Sequence, residues 1–263
     1  MAIQDSWAAG GSYERFMGRW SRLIAGAFLD WLSPLPHLHW LELGCGTGAL
    51  SGAILAEASP ASLLAIDPSQ AFIDFDRRMF RDPHLTFQVG DAFNLPPVAH
   101  PLDLAVSGLV LNFIQSPAAA LQALLRKLQP DGILAFYVWD YAGKMEMLRY
   151  FWDSAVALDP AASSLDEGVR FSMCEPQTLK HICRQAGLNQ VEVQGIDTSM
   201  IFADFSDFWS PFLEGQGPAP GYAMQLDPAA RQALEDHLRR ALPMQQDGSL
   251  HLTARAWAVR ATG

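Results

Sequence analysis

Residues 41–48 read Leu-Glu-Leu-Gly-Cys-Gly-Thr-Gly, and no other stretch of this 263-residue chain restricts its fold as strongly. A short apolar run, 40–43, enters a turn with glycines at 44, 46 and 48, and an apolar helical pattern follows to about residue 57. Glycine at alternate positions lets backbone approach a ligand where any side chain would collide. The helix beyond presents its first N–H groups without partners of their own. The stretch therefore predicts a strand, a ligand-facing turn and a helix.

The same rhythm continues. Residues 63–66, 85–89, 102–107 and 133–139 read as further strands. Helices are expected from about 69 to 80 and from Ser116-Pro117 through leucines 121, 124, 125 and 128, with proline well placed at a helix start. This alternation with buried-looking strands predicts an α/β fold, a doubly wound parallel sheet with helices on both faces. Ahead of it, residues 12–33 are helical by periodicity, with a break at Gly18 and Ser21 as N-cap. Behind it come a weak helix at 144–158, a helix opening at Glu175-Pro176 and closing at Gly187, and a sixth strand at 191–193. Residues 206–222 fit neither periodicity and read as a long aromatic loop. A helix from Asp227 to Leu242 and a seventh strand at 250–259 complete the chain.

Composition narrows the partners. Half the residues are apolar (50%), enough for a substantial core. The net charge is −10, from 18 Lys and Arg against 28 Asp and Glu, which argues against nucleic acid or an anionic membrane as partner. No apolar run approaches the length of a membrane span and the first residues lack the pattern of a signal peptide. Cys45, Cys174 and Cys183 form no CxxC pair and the seven histidines show no ligand spacing, so neither a disulfide framework nor a metal site is expected, and the cytoplasm is the simplest location.

Acidic residues then discriminate between ligands. Asp67 closes the second strand 23 residues after Gly44, where a carboxylate would hold a ribose diol. Gly44, Gly46 and Ala49 also satisfy the GxGxx(G/A) pattern of nicotinamide and flavin sites. Glu42, inside the first strand, favours a different ligand: a buried carboxylate wants a cationic or N–H-donating partner. Asp91, in Gly90-Asp91-Ala92, adds a further acid at the sheet's carboxyl edge, and no second domain for a hydride acceptor is evident.

With these residues in place the chain resembles a class I S-adenosylmethionine-dependent methyltransferase, of the methyltransferase type 11 kind. The matching pieces are LELGCGTG (41–48), AIDPS (65–69), VGDAFNLP (89–96), LDLAVSGLVLNF (102–113) and LQPDGILAFYVWD (128–140), with YERFMGRWS (13–21) similar to the lead-in of a subgroup. The resemblance implies a seven-stranded, mostly parallel, Rossmann-like sheet of order 3-2-1-4-5-7-6. It implies that Gly44, Cys45 and Gly46 face the methionine part of S-adenosylmethionine, with Glu42 near its amino group. Asp67, followed by Pro68, would hold the ribose; Asp91 the adenine amine, with Ala92 and Phe93 beside the ring; Leu109 would line the site. Arg19 and Tyr13 are expected at the cofactor carboxylate. The chain reads as one domain over 1–263: N-terminal helices (1–36) and an insertion (204–243) forming a lid, a cofactor-binding half (37–140) and a substrate-side half (141–263).

The implied reaction is in-line methyl transfer to a small-molecule acceptor in an apolar, lidded pocket. Phe16, Trp20, Asn112, Trp139 and Trp209 are the expected acceptor contacts, and Tyr13 and Tyr141 the candidate bases. Asn112-Phe113 depart from the His or polar pair that relatives often carry after the fourth strand, so the resemblance transfers no base to these two positions. A catalytically silent cofactor-binding protein and a nicotinamide-dependent oxidoreductase are the competing readings.

Overall fold

The computed structural model describes residues 14–214 and 217–263. They fall into two compact units. One, here the glycine-turn unit, comprises Ser21–Val138, Met173–Ile196 and Ala256–Gly263. The other, the aromatic unit, comprises the residues before Ser21 together with Trp139–Ser172 and Asp197–Arg255.

Seven strands form one sheet in the order β3-β2-β1-β4-β5-β7-β6. They are β1 (His39–Leu43), β2 (Ser62–Asp67), β3 (Leu85–Val89), β4 (Leu102–Gly108), β5 (Leu128–Trp139), β6 (Asn189–Phe202) and β7 (Leu250–Thr262). The pairs β1–β2, β1–β4, β2–β3 and β4–β5 are parallel, as the expected doubly wound fold requires. Leu41 is registered against Leu64 on one side and Ala105 on the other, which buries it completely. Strands covered on both faces are near-continuously apolar, and β1, β2 and β4 show that composition.

The helices used below are α1 (Arg19–Leu32), α2 (Ala49–Glu57), α3 (Gln70–Met79), α4 (Pro117–Leu125), α5 (Glu146–Leu158), α6 (Pro176–Gln185), α7 (Phe205–Trp209), α8 (Pro218–Gln225) and α9 (Pro228–Ala241). Ser69 caps α3 by accepting from the Phe72 N–H, and Asp227 caps α9 by accepting from the Ala230 N–H. The break expected at Gly18 is present, but α1 begins at Arg19, so Ser21 lies within its first turn and is not its cap.

Three further expectations are corrected. β5 begins at Leu128 rather than 133: Leu102 pairs with Leu128 across an irregularity, and Asp131 takes up a left-handed conformation (φ 65°) between Pro130 and Gly132. This register shift hid the strand's start. β6 runs for 14 residues, Asn189–Phe202, rather than the three expected at 191–193, and its charged positions are paired: Asp197 with Arg255 at 2.6 Å and Glu192 with Arg260 at 2.7 Å. The described residues within 206–222 are largely helical. Phe205, Phe208, Trp209 and Phe212 stand at the i, i+3, i+4, i+7 positions of a helix face, and Asp204 caps α7 through the Asp207 N–H. Pro218 at the start of α8 follows Gly217, whose φ of 89° turns the chain.

In the aromatic unit those rings form the core. Phe151 stacks on Phe212 at 4.6 Å, Trp20 packs on Phe202 at 5.0 Å and Phe16 meets Phe212 edge-on at 5.3 Å.

Candidate functional site

The site is built where β1 turns into α2 in the glycine-turn unit. Gly44, Gly46 and Gly48 have φ of 76°, 57° and 75°, a conformation that L-residues with side chains avoid. The Gly44 and Cys45 N–H groups donate to the Ile66 carbonyl at 2.7 and 3.0 Å, fixing the turn against β2. The three glycines then differ in what surrounds them. A Cβ on Gly44 would stand 2.5 Å from Val110, and one on Gly48 would collide with the Phe80 ring. A Cβ on Gly46 would meet no protein atom within 4 Å. Gly44 and Gly48 serve packing, whereas a Cβ added at Gly46 would stand in open space. That is the cradle a ligand's small polar end requires.

Asp67 ends β2 beside this cradle. It accepts the Gly46 N–H at 3.1 Å and the Ser69 N–H at 2.8 Å. An ionised carboxylate offers about four acceptor sites, so both oxygens retain capacity for hydroxyl donors. Burial raises its pKa, and the two N–H bonds pull it back. After β3, Asp91 accepts the Phe93 and Asn94 N–H groups at 2.7 and 2.9 Å, which rounds the chain into a tight turn. Ala92 is buried there, while Phe93 projects into solvent.

Glu42 lies on the inner side of the turn, 1% exposed. Burial pushes its carboxyl from its ordinary 4.5 up to about 8, with the Ser51 hydrogen bond opposing and the charges of Asp76 and Asp67 adding. At neutral pH in the free protein it is largely protonated. The sign for stability follows: between about 4.5 and about 8 the folded protein holds a proton that the unfolded chain has released. Stability therefore falls as pH rises through that window. Glu42→Gln cannot ionise and keeps an acceptor for Ser51. It is expected to raise the melting temperature at pH 8.5 and to change it little at pH 5; an equal shift at both would show that Glu42 is not the group that titrates.

Two residues of this region were missed in the sequence. Ser51, fully buried on α2, donates to Glu42. Asp76, fully buried on α3, accepts from the Cys45 thiol at 3.5 Å. Its only sequence signal is an acid three positions after the buried Ile73 on the same helix face. The Cys45 thiol is pushed well above its ordinary value by burial and by the surrounding carboxylates, so it stays protonated and serves as donor and packing group.

On the far side of the turn stands the segment after β4. Leu109 is left-handed (φ 61°) and donates its N–H to the Tyr137 carbonyl at 2.8 Å. Val110 fills the space over Gly44, and Asn112 follows in a short helical turn, Leu111–Phe113.

The structure thus brings Glu42, Gly44, Cys45, Gly46, Asp67, Pro68, Asp91, Ala92, Phe93, Leu109 and Asn112 into one unit. The remaining candidates lie elsewhere. Arg19, in the aromatic unit, pairs with Asp207 at 3.1 Å and lies over the Trp20 and Phe202 rings at 4.2 and 4.8 Å. Phe16, Trp20, Trp139 and Trp209 are buried in that unit, and Tyr141 is buried with its ring 5.0 Å from Phe171. Tyr13 lies outside the described residues. Among the described residues no group of three or more His, Cys, Asp or Glu side chains is placed to hold a metal, and no helix is long and apolar enough to cross a membrane. Cys45, Cys174 and Cys183 are buried thiols.

The methyltransferase-domain family matches residues 41–136. A malonyl-[acyl-carrier protein] O-methyltransferase of Methylococcus capsulatus is 34% identical over 132 residues, 49% of this chain and 46% of that protein. A trans-aconitate 2-methyltransferase of Methylobacterium radiotolerans is 33% identical over 100 residues, 38% of this chain and 37% of that protein. The chain spans about half the length of the curated relatives it matches, between 34% and 56% of four of them. The solved phosphoethanolamine N-methyltransferase 2 of Haemonchus contortus, in complex with S-adenosyl-L-methionine, matches with a TM-score of 0.60 over 98% of this chain and 57% of that one. Its identity is 14%, so that likeness is one of fold.

Proposed function

We propose, on the premise that this chain is a class I S-adenosylmethionine-dependent methyltransferase, that it transfers the cofactor's methyl group to a small-molecule acceptor. The observation that carries this reading is the Gly46 turn, where an added Cβ would meet no protein atom and whose N–H is held by Asp67, with the buried Glu42 in the strand that leads into it. A dinucleotide site has no use for a buried acid two residues before its first glycine, whereas an ammonium group does.

When bound, S-adenosylmethionine supplies an electrophilic methyl on a sulfonium. Around it the backbone of Gly44–Gly46 and the Glu42 carboxyl would hold the amino-acid end, Asp67 the ribose hydroxyls, and Asp91 with Phe93 the adenine. A cation beside Glu42 favours its ionised form, so binding expels the Glu42 proton below about pH 8, and affinity rises with pH up to there. Leu109, fixed by its hydrogen bond to Tyr137, presents an apolar wall. Positioning in a water-poor pocket is the chain's contribution to rate, and an acceptor that is already a good nucleophile needs no base. The acidic balance of the chain and the small acid named for the trans-aconitate enzyme support a small acceptor.

Calorimetry with S-adenosylhomocysteine and with NADH tests the cofactor, and methyl transfer to a panel of acceptors tests the activity. Micromolar binding of the first and none of the second is expected. Binding of S-adenosylhomocysteine without transfer to any acceptor would favour a silent cofactor-binding protein.

Asp67→Ala should weaken the cofactor by about 1.5–3 kcal/mol, the range for hydrogen bonds to a charged group. The Gly46 and Ser69 N–H groups also lose their acceptor, so a small loss of stability accompanies it. An unchanged dissociation constant would reduce Asp67 to a brace of the turn.

A further inference from the structure

We infer that Asp76 is a positioning residue for the cofactor: through the Cys45 thiol it holds the glycine turn in place, and through its charge it sets the pH range over which the site takes up the cofactor's ammonium group. The inference rests on the methyltransferase reading above and deepens it. Helix α3 starts at the ribose end of the site and finishes at the turn. At its start Asp67 accepts the Ser69 N–H at 2.8 Å. Two turns later Asp76, fully buried, accepts from the Cys45 thiol at 3.5 Å, and its Oδ1 would lie 3.3 Å from a Cβ on Gly48. Phe80, one further turn on, packs its ring over Gly48 and Gly52. The helix is itself tied to the sheet, since Arg77 donates to the Phe87 carbonyl of β3 at 2.7 Å. One helix therefore sets the glycine turn relative to Asp67.

A carboxylate is a costly way to fill space beside a thiol, where an alkyl group would pack as well. What it adds is an acceptor and a negative charge. The acceptor holds Cys45, whose backbone stands between Gly44 and Gly46. The charge acts on Glu42. That group meets Ser51 from α2, Asp67 from β2 and Asp76 from α3, with Cys45 beside it in the turn and Val106 of β4 in register with it. Both aspartates favour its protonated form. An incoming ammonium group calls for the ionised form, so Asp76 holds back cofactor uptake until the pH rises.

The test titrates S-adenosylhomocysteine calorimetrically at pH 6.5 and pH 8.5 into the wild type, Asp76→Asn and Asp76→Leu, at a temperature where thermal melts show each to be folded. Because the Glu42 carboxyl is pushed up to about 8, wild-type affinity should rise about 10- to 30-fold between the two pH values. Asp76→Asn keeps an acceptor for the thiol and loses the charge. It should bind within about threefold of the wild type at pH 8.5, while its rise between the two pH values shrinks to about two- to fivefold. Asp76→Leu loses both features and should bind about tenfold or more weaker at pH 8.5. Added to Cys45→Ala, the same change should weaken binding by less than about threefold further, since the two side chains share one contact. Wild-type affinity of Asp76→Leu at pH 8.5, or losses that simply add in the double variant, overturn the positioning role. A wild-type pH dependence in Asp76→Asn, or a wild type whose affinity ignores pH, overturns the role of the charge. Equal losses in both Asp76 variants at both pH values would mean a general loosening and overturn the two together. If the leucine variant fails to fold, the pH dependence of Asp76→Asn still decides. If S-adenosylhomocysteine fails to bind the wild type at either pH, the cofactor reading itself is overturned, and this inference with it.

Discussion

Gly46→Ala is expected to leave the protein folded and to weaken the cofactor by about 10- to 100-fold, as a methyl forced into a filled contact costs about 1–3 kcal/mol. The left-handed backbone at this position adds about 1–2 kcal/mol of lost stability and no more, because the new Cβ meets no protein atom. Gly44→Ala is the contrast. It carries the same backbone strain and also drives its Cβ against Val110, so about 2–5 kcal/mol of stability should go. The pair separates ligand approach from packing within one turn. Thermal melts and S-adenosylhomocysteine titrations on both variants decide it: a Gly46→Ala protein with wild-type affinity would remove the cradle from the cofactor site.

Trp209→Ala should cost about 3–5 kcal/mol of stability, the range for truncating a buried aromatic residue. Trp209 is 5% exposed and its ring lies 6.4 Å from Phe205 and 5.9 Å from Phe212, inclined by 29° and 28°, inside a core that also takes in Phe151 and Phe208. The sequence had placed it on a loop over the acceptor. Its burial among the rings of its own unit favours the core role, and a fall of roughly 10 °C in melting temperature should accompany the loss. A variant that melts like the wild type while its acceptor KM rises would return Trp209 to the lid.

Much of the site was legible because its rules are local. A glycine that must take positive φ announces itself by having no side chain. An acid at a strand's end is set beside a glycine turn by the parallel register alone, as Asp67 is set beside Gly46. The same locality misled at 204–222, where the glycines and prolines outweighed a helical aromatic spacing that was present all along.

What the sequence by itself determined was the α/β rhythm, the glycine turn and the acids at its strand ends. These follow from backbone sterics and from periodicities that span a few residues. The tertiary structure decided which polar groups are buried and what they meet. Asp76 and Ser51 are ordinary helix residues until α2 and α3 are laid against β1 and the turn; then one takes the Cys45 thiol and the other holds Glu42. Arg19 is paired with Asp207, 188 residues away, a partner that no local pattern announces. The residues that form such pairs lie far apart in sequence, and desolvation depends on every element packed around a group. Neither leaves a mark within the few residues that local periodicity can read.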